Sequence, residues 1–213
     1  AASFLRSNLT TQGGLLRSWR GEPGRIAGFA EDYAFLIQGL LDLYQADWDS
    51  DWLKWARELQ ERQDALFRDE KGGGYFSSVA GDPLVSLRMK EDYDGAEPSA
   101  NSISALNLLR LARMLHDESL ESRAWQILAA TRQALDRVPA AVPQTLVPLD
   151  VALSAPTQAV VAGTRKADDV RKWNAKLHRD FVPRRVLLLV DGSSFLMEKV
   201  PILNSMKPLD GQA

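Results

Sequence analysis

Apolar residues recur at helical spacing through the first two thirds of the chain. Leu36, Leu40 and Leu43 follow each other four and three positions apart, and Phe35 and Tyr44 lie directly beside them in sequence, which is typical of one helix face. The same spacing predicts helices over residues 30–47, about 50–69, 98–115 and about 118–137, after the end of an earlier helix at 1–9. Because the turns near residues 48 and 117 are short, we expect two antiparallel helical hairpins.

A long polar segment, residues 70–97, separates the two predicted hairpins. Helix connections usually span about 2–8 residues, so this one is unusually long. It contains three consecutive glycines, Gly72–Gly74, and later a turn signal at Gly81-Asp82-Pro83 between two β-prone runs. These features predict a β-hairpin that projects Tyr75 and Lys90 from a rigid base.

The pattern changes after Pro139. Repeated prolines allow only a short helix at about 143–153. Two apolar runs, 157–163 and 184–192, then predict buried strands, with a helix at 167–181 between them. Strand, helix and strand in this order indicate a parallel βαβ unit with a right-handed crossover. Residues 194–203 are expected to form a further helix.

We therefore expect a mainly α protein in two parts, helical hairpins over 1–153 and a small α/β segment over 154–213. The N-terminus already has a helical pattern without a cap or a leader, so we expect a fragment of a longer chain.

Composition excludes several functions. The 213 residues are 45% hydrophobic and 25% charged, which is ordinary for a globular core. A net charge of −2, without a basic patch, does not favour nucleic-acid binding. The chain has no cysteine, which excludes thiol catalysis and zinc–thiolate sites. The longest purely apolar run, Val186–Val190, is far too short to span a membrane. The compartment stays open between secreted and intracellular.

The first candidate site is Glu31-Asp32-Tyr33, at the predicted start of a helix. A carboxylate there could act as a general base or bind a hydroxyl group, and Tyr33 could stack on a ligand. The alternative is structural: carboxylates near a helix N-terminus complement the helix dipole. From spacing alone the structural interpretation is favoured.

The second candidate site is the long segment and the helix start after it. It concentrates titratable, aromatic and hydrogen-bonding residues: Tyr75, Arg88, Lys90, Asp92, Asp94, Glu97, Ser99 and Asn101. Free N–H groups in the first turn of a helix could help to bind a ligand. The alternative is an ordinary structured loop with solvated charges, in which Ser99 caps the helix. The pattern does not decide between the two.

Other known kinds of site find little support. His116 and His178 lie far from the carboxylates in sequence and are interpreted as surface residues. No spacing of histidine and carboxylate residues is typical of a metal site. The glycine patterns of dinucleotide-binding turns and of nucleophile elbows are also missing from the sequence. We therefore predict no cofactor and no metal.

Four stretches together carry a resemblance to a known family: GFAEDYAFLIQGLLDLYQAD, LFRDEKGGGYF, LRMKEDYDGAEPSANSISALNLLRL and FVPRRVLLLVDG. Over essentially its whole length the chain resembles the C-terminal part of the spermatogenesis-associated protein twenty family. The resemblance implies a thioredoxin-like domain, missing here, followed by a six-hairpin α/α toroid related to sugar epimerases. This chain would supply the last hairpins of the toroid and the α/β segment.

The resemblance also suggests a function. It implies a polar or carbohydrate-like ligand at the toroid mouth, where Asp32, Lys90 and Asp94 would be catalytic. The remaining candidate residues would bind the ligand, with stacking by Tyr33 or Tyr75. Sugar epimerases use histidines as acid–base groups, and no histidine here falls at a matching loop, so enzyme activity stays open.

Two other interpretations remain. The chain could be a non-catalytic scaffold that holds the thioredoxin-like domain near a client protein, in a role connected with spermatogenesis. Alternatively, the α/β segment could join copies of the chain. The expected partners are a sugar-like small molecule and the missing parts of the longer protein, with neither nucleic acid nor membrane.

Overall fold

The computed structural model describes residues 1–83, 85–91 and 93–208. Its helices are α1 (Ala2–Asn8), α2 (Ala30–Asp47), α3 (Ser50–Phe67), α4 (Ala100–Leu115), α5 (Glu118–Ala130), α6 (Arg132–Arg137), α7 (Leu146–Leu153), α8 (Asp168–Arg179) and α9 (Ser194–Lys199). The strands are β1 (Thr10–Thr11), β2 (Gly14–Leu15), β3 (Thr157–Ala162) and β4 (Arg185–Val190). The prediction of a mainly α protein is confirmed.

The first predicted hairpin is present as α2 and α3. Trp48 ends α2 in the left-handed conformation, with φ 56°, and its N–H donates to the Tyr44 carbonyl at 2.6 Å. Asp49 then caps α3, because its carboxylate accepts a hydrogen bond from the Asp51 N–H at 3.2 Å. A two-residue connection is therefore enough to reverse the chain.

The second hairpin pairs α4 with α5 and packs beside the first. Ser99 caps α4, His116 reverses the chain in the left-handed conformation, and Asp117 caps α5. Helices α2 and α4 lie against each other, and almost every side chain of α4 is buried. Helix α4 therefore forms the centre of the core.

The helix predicted over residues 118–137 is in fact two helices. Helix α5 ends at Ala130, and α6 starts after Thr131. The Thr131 hydroxyl donates back to the carbonyls of Ile127, at 3.2 Å, and Leu128, at 3.1 Å. Such bonding by a threonine side chain competes with the helical ladder and bends the helix.

The predicted parallel βαβ unit is confirmed. β3 and β4 pair in parallel, from Thr157 beside Arg185 to Ala162 beside Val190. Side chains of α2 reach β4, where the Leu187 N–H donates to Gln45 Oε1 at 2.9 Å. The prediction that both strands are buried is wrong for β3, whose first two residues are exposed, because β4 lies next to the helices and leaves β3 at the edge.

The β-hairpin predicted within the long loop is not formed. The described residues of 70–97 contain no strand, and their contact with Arg68 at Tyr75 is a single bridge. We name the parts of the loop before and after the Gly81-Asp82-Pro83 turn its first and second arms. One backbone hydrogen bond, from the Ser77 N–H to the Met89 carbonyl at 2.8 Å, joins the two arms. The arms are instead fastened to the helical body, since Arg88 donates to the carbonyls of Ser78 and Leu66.

Two predictions about the architecture remain predictions. These are the closure of the hairpins into a toroid in the longer protein and the division into two parts at residues 153 and 154. Among the described residues, no helix combines the length and the apolar composition that a membrane span requires.

Candidate functional site

The three glycines let the chain lie flat against two helices. Gly73 and Gly74 both have φ 73°, which favours glycine. A Cβ atom at Gly73 would lie 2.6 Å from the Gln126 carbonyl oxygen of α5, and one at Gly74 would lie 2.7 Å from Asn101 Oδ1 of α4. The glycines thus allow both a left-handed turn and a close approach to α4 and α5.

Asn101 fixes the chain directly after this turn. Its side-chain oxygen accepts a hydrogen bond from the Tyr75 N–H at 2.8 Å, and its amide nitrogen donates to the Tyr75 carbonyl at 3.0 Å. The same amide nitrogen also donates to the Glu91 carbonyl at 3.3 Å. Asn101 therefore replaces a β-ladder partner and ties both arms of the loop to α4.

The side chain of Tyr75 lies in the core. Its hydroxyl donates to the Asp64 carboxylate and accepts from Gln60 at 3.0 Å, while Arg123 forms an ion pair with Asp64. Burial, with the nearby Asp64 charge, raises the pKa of Tyr75 well above its usual value, so the phenol stays neutral. The ring is only 2% exposed.

Tyr33 is buried as well. Its hydroxyl accepts a hydrogen bond from the Leu15 N–H at 2.9 Å, and its ring meets Phe67 edge to face, with 5.4 Å between centroids. Ligand stacking requires an exposed ring face, which neither Tyr33 nor Tyr75 has in this structure.

Both carboxylate oxygens of Asp94 are used to join two segments. One accepts from the Ser99 N–H at 2.8 Å, and the other accepts from the N–H groups of Gln144, at 2.9 Å, and Thr145, at 3.2 Å. A chain of hydroxyls from Ser99 through Ser102 to Thr145 runs alongside, with 2.8 Å at each step. Asp94 and Ser99 thus lock the start of α4 to the segment before α7.

Lys90 and Arg88 point inward over the ring of Phe76, at 5.2 and 4.2 Å from its centroid. The Lys90 ammonium forms an ion pair with Asp69 at 2.6 Å and donates to the Gly73 carbonyl at 2.6 Å. Its hydrogen bond and charge lower the pKa of Asp69 to about 2. Lys90 therefore closes the glycine turn onto the second arm of the loop.

Glu31 and Asp32 surround one arginine at the start of α2. Arg17 lies 2.6 Å from the Glu31 carboxylate and 3.4 Å from that of Asp32. Asp32 also accepts from the Phe29 N–H at 2.7 Å and so caps α2. Burial raises the pKa of Asp32, against the opposing effects of the Phe29 hydrogen bond and the Arg17 charge. Asp32 thus has a structural contact at the start of α2, and its role in ligand binding or catalysis stays a prediction.

Glu91, which the sequence analysis did not single out, lines a small cleft of about 210 Å³. The other lining residues are Gly72, Gly73, Gly74, Lys90, Asn101, Ile127, Ala130 and Thr131. Partial burial raises the pKa of Glu91, and the carboxylates of Glu31, Glu97 and Asp94 raise it further. Its position directly after Lys90 in a dense run of charges is the signal that could have identified it.

The candidate residues therefore gather at one end of the two hairpins, where α2 and α4 begin and the long loop lies; we name this the loop end. Glu31, Glu97 and Glu91 influence one another electrostatically across it. The cleft itself is lined by Lys90 and Asn101 but not by Asp32 or Asp94. Asp92 lies outside the described residues.

Metal binding finds no support in the part of the chain that the structure describes, where no group of three or more histidine, aspartate or glutamate side chains could hold an ion. His116 Nε2 lies 3.4 Å from Gln158 Oε1, and His178 Nδ1 lies 3.0 Å from the Asn174 carbonyl oxygen, both at the surface.

Fold and site together define a mainly helical protein of paired hairpins, with a two-stranded parallel sheet beside them and polar residues collected at the loop end. No protein-family model matches the chain. Its sequence is, however, similar to curated proteins. It is 41% identical over 225 residues to human spermatogenesis-associated protein 20, covering 100% of this chain and 29% of the relative.

Two further relatives are similar to the chain over most of its length. The mouse protein of the same name is 44% identical over 190 residues, covering 87% of this chain and 24% of its own length. An uncharacterised protein of Caenorhabditis elegans is 39% identical over 189 residues, covering 85% of this chain and 26% of the relative. The chain belongs to the family of spermatogenesis-associated protein 20, and it spans about a quarter of the length of these relatives.

Proposed function

We propose that the cleft at the loop end binds a small hydroxyl-bearing molecule, of carbohydrate-like chemistry. The observation that carries the proposal is the Glu91 carboxyl group. Glu91 and Lys90 both line the cleft, and no hydrogen bond or ion pair joins the Glu91 side chain to another residue of the described ranges. Most other candidate side chains are already occupied in holding the loop.

The size of the cleft limits the ligand. Pockets for drug-sized molecules hold about 300–1,000 Å³, whereas this cleft holds about 210 Å³. A single sugar ring or a polyol is of suitable size. The groove along α2 and α4 is larger, at about 680 Å³, but none of the candidate residues identified from the sequence lines it.

The chemistry of the walls suits hydroxyl groups. A carboxyl group can accept hydrogen bonds from two neighbouring hydroxyls, and an ammonium group donates to their oxygens. The hydrogen bonds that Asn101, Lys90 and Asp94 already make keep these walls in place before a ligand arrives, which reduces the entropy cost of binding. The proposal is therefore one of binding, with the roles of Asp32, Lys90 and Asp94 changed from catalysis to support.

Thermal unfolding in the presence of monosaccharides, polyols and sugar phosphates tests this function. A ligand at about 100 times its Kd stabilises the folded state by about 2.7 kcal/mol, which gives a measurable rise in Tm. Glu91→Gln should abolish the rise. Glu58→Gln, at an exposed position on α3, is the matched control and should keep it. A ligand that stabilises both variants equally would place its site elsewhere.

A scaffold is the second candidate function. It is favoured by the use of Asp94, Asn101, Tyr33 and Tyr75 as structural links, which makes the loop end rigid. In this alternative the chain holds the thioredoxin-like domain that the family resemblance implies. Titration of the chain with that domain, produced separately and followed by calorimetry, would show binding that sugars do not change.

A further inference from the structure

The second arm of the loop has an alternating arrangement. Leu87, Met89 and Tyr93 are 72%, 62% and 59% exposed, whereas Arg88 and Lys90 between them turn inward onto Phe76. Over residues 87–91 such alternation is that of an extended chain, in which successive side chains point to opposite sides. We name the outward set Leu87, Met89, Glu91 and Tyr93 the exposed row.

The segment that carries the exposed row is fixed by its inward side chains, Arg88 and Lys90. Arg88 donates to the Ser78 carbonyl at 3.0 Å and to the Leu66 carbonyl at 3.3 Å, and Lys90 pairs with Asp69 at 2.6 Å. The backbone is fixed as well, because the Met89 carbonyl accepts from the Ser77 N–H at 2.8 Å. The apolar side chains are therefore presented on an anchored segment.

Exposing the apolar side chains of this row to water is unfavourable. Single exposed apolar residues are ordinary on protein surfaces, whereas a contiguous set marks an interaction site. Leu87, Met89 and Tyr93 do not line the cleft that holds the proposed small ligand. The apolar side chains of the row therefore lie outside the cleft, whereas Glu91 belongs to both.

Charge indicates what would cover the row. Glu91 lies within it, and Glu31 and Glu97 are near enough to raise the pKa of Glu91. A partner that brings a lysine or arginine opposite Glu91 would relieve this repulsion, while its apolar side chains on either side would cover Leu87, Met89 and Tyr93. Opposite charges across an interface also fix the register and exclude acidic partners.

We propose that the exposed row docks an extended peptide segment of a partner protein, in which a basic residue is flanked by apolar ones. The proposal goes beyond the sugar-like ligand, because its apolar contacts lie outside the cleft, while its charged contact, Glu91, is shared with the cleft.

Two blocked seven-residue peptides test the proposal, one alternating valine with lysine and the other alternating valine with glutamate. Each carries a fluorophore and is titrated with the chain at low and at 0.5 M salt. We expect the basic peptide to bind and the acidic peptide to bind at least tenfold more weakly. Binding of the basic peptide should weaken as salt screens the charge on Glu91.

Variants locate the binding surface. The double substitution Leu87→Ser with Met89→Ser should weaken binding of the basic peptide at least tenfold. Leu153→Ser, at a leucine that is equally exposed at 72%, should leave it unchanged. Equal binding of both peptides, no binding of either, or unchanged binding by the double variant would overturn the proposal. So would self-association of the chain that the double variant abolishes, because it would assign the row to a second copy.

Discussion

Asn101 holds the backbone of Tyr75 from both sides, accepting its N–H at 2.8 Å and donating to its carbonyl at 3.0 Å. The two residues are 26 positions apart in sequence, with most of the long loop between them. A residue in the first turn of α4 thus determines where the chain goes after it leaves α3. The loop is long because it crosses the loop end and returns, with a fixed contact at each stage.

Asn101→Ala should therefore destabilise the fold. It removes two buried hydrogen bonds to the Tyr75 backbone and leaves the partner groups without partners, at a cost of about 2–4 kcal/mol in the free energy of unfolding. Urea denaturation measures this. Asn8→Ala, which removes an exposed bond to the Phe4 carbonyl, is the control and should cost under about 0.5 kcal/mol. Equal effects of the two substitutions would contradict the role assigned to Asn101.

Asp94→Ala should also lower stability, by about 2–4 kcal/mol, because three N–H groups on Ser99, Gln144 and Thr145 lose a charged acceptor. Asp94→Asn keeps one side-chain oxygen and should lose less. Urea denaturation of both variants separates support from catalysis. A fully stable Asp94→Ala protein that no longer processes a substrate would restore the catalytic role predicted from the sequence.

The glycine turn offers an internally controlled substitution. Gly74 and Gly81 have nearly the same φ, 73° and 76°, so alanine at either position costs about 1–2 kcal/mol from backbone strain. At Gly74 the new Cβ would also lie 2.7 Å from Asn101 Oδ1, whereas at Gly81 nothing lies within 4 Å. Gly74→Ala should be the more destabilising of the two in thermal unfolding. Equal losses would mean that Asn101 moves away without cost.

The contribution of Asp69 to the stability of the fold should be lost at acid pH. Hydrogen bonds from Lys90 and from the backbone of Gly72 and Lys71 lower its pKa to about 2 in the folded protein, below the ordinary value of about 3.9 in the unfolded chain. The stabilisation is therefore complete above about pH 4 and is lost as the pH falls through about 2. A carboxyl NMR titration reports this directly. In Lys90→Met the pKa of Asp69 should rise, and an unchanged titration would show that the ion pair does not form in solution.

The contribution of Glu91 to the stability of the fold should depend on pH in the opposite direction. Partial burial and three neighbouring carboxylates raise its pKa in the folded protein, so the folded state binds its proton more tightly than the unfolded chain does. Stability then decreases as the pH rises from about 4.3, the ordinary glutamate value, through the raised pKa. Compared with wild type, Glu91→Gln should show a weaker decrease over this range. A Glu58→Gln profile identical to that of Glu91→Gln would contradict this cause.

Sequence patterns predicted the regular elements well, because periodicity is local. Helix α2 begins at Ala30 and ends at Asp47, as the apolar spacing indicates, and the parallel strands lie where the two apolar runs predict them. The break at Thr131 was missed, since a single back-bonding hydroxyl changes the helix without changing the apolar pattern.

The candidate site was harder to predict. The residues at the loop end lie near the helix starts, and their roles depend on partners far away in the chain. Asp94 bonds to Gln144 and Thr145, Tyr75 to Asp64, and Tyr33 to Leu15. No local spacing contains these pairings. The burial of both tyrosines and the outward position of Glu91 follow only from the packed structure.

The most direct test of the proposed ligand site is a two-dimensional amide NMR titration of the chain with the monosaccharide that raises its Tm most. Binding in the cleft predicts chemical-shift changes concentrated at the amides of Gly72–Gly74, Glu91 and Thr131, and their loss in Glu91→Gln. Shift changes along the groove between α2 and α4, or no changes at saturating sugar, would contradict the proposal.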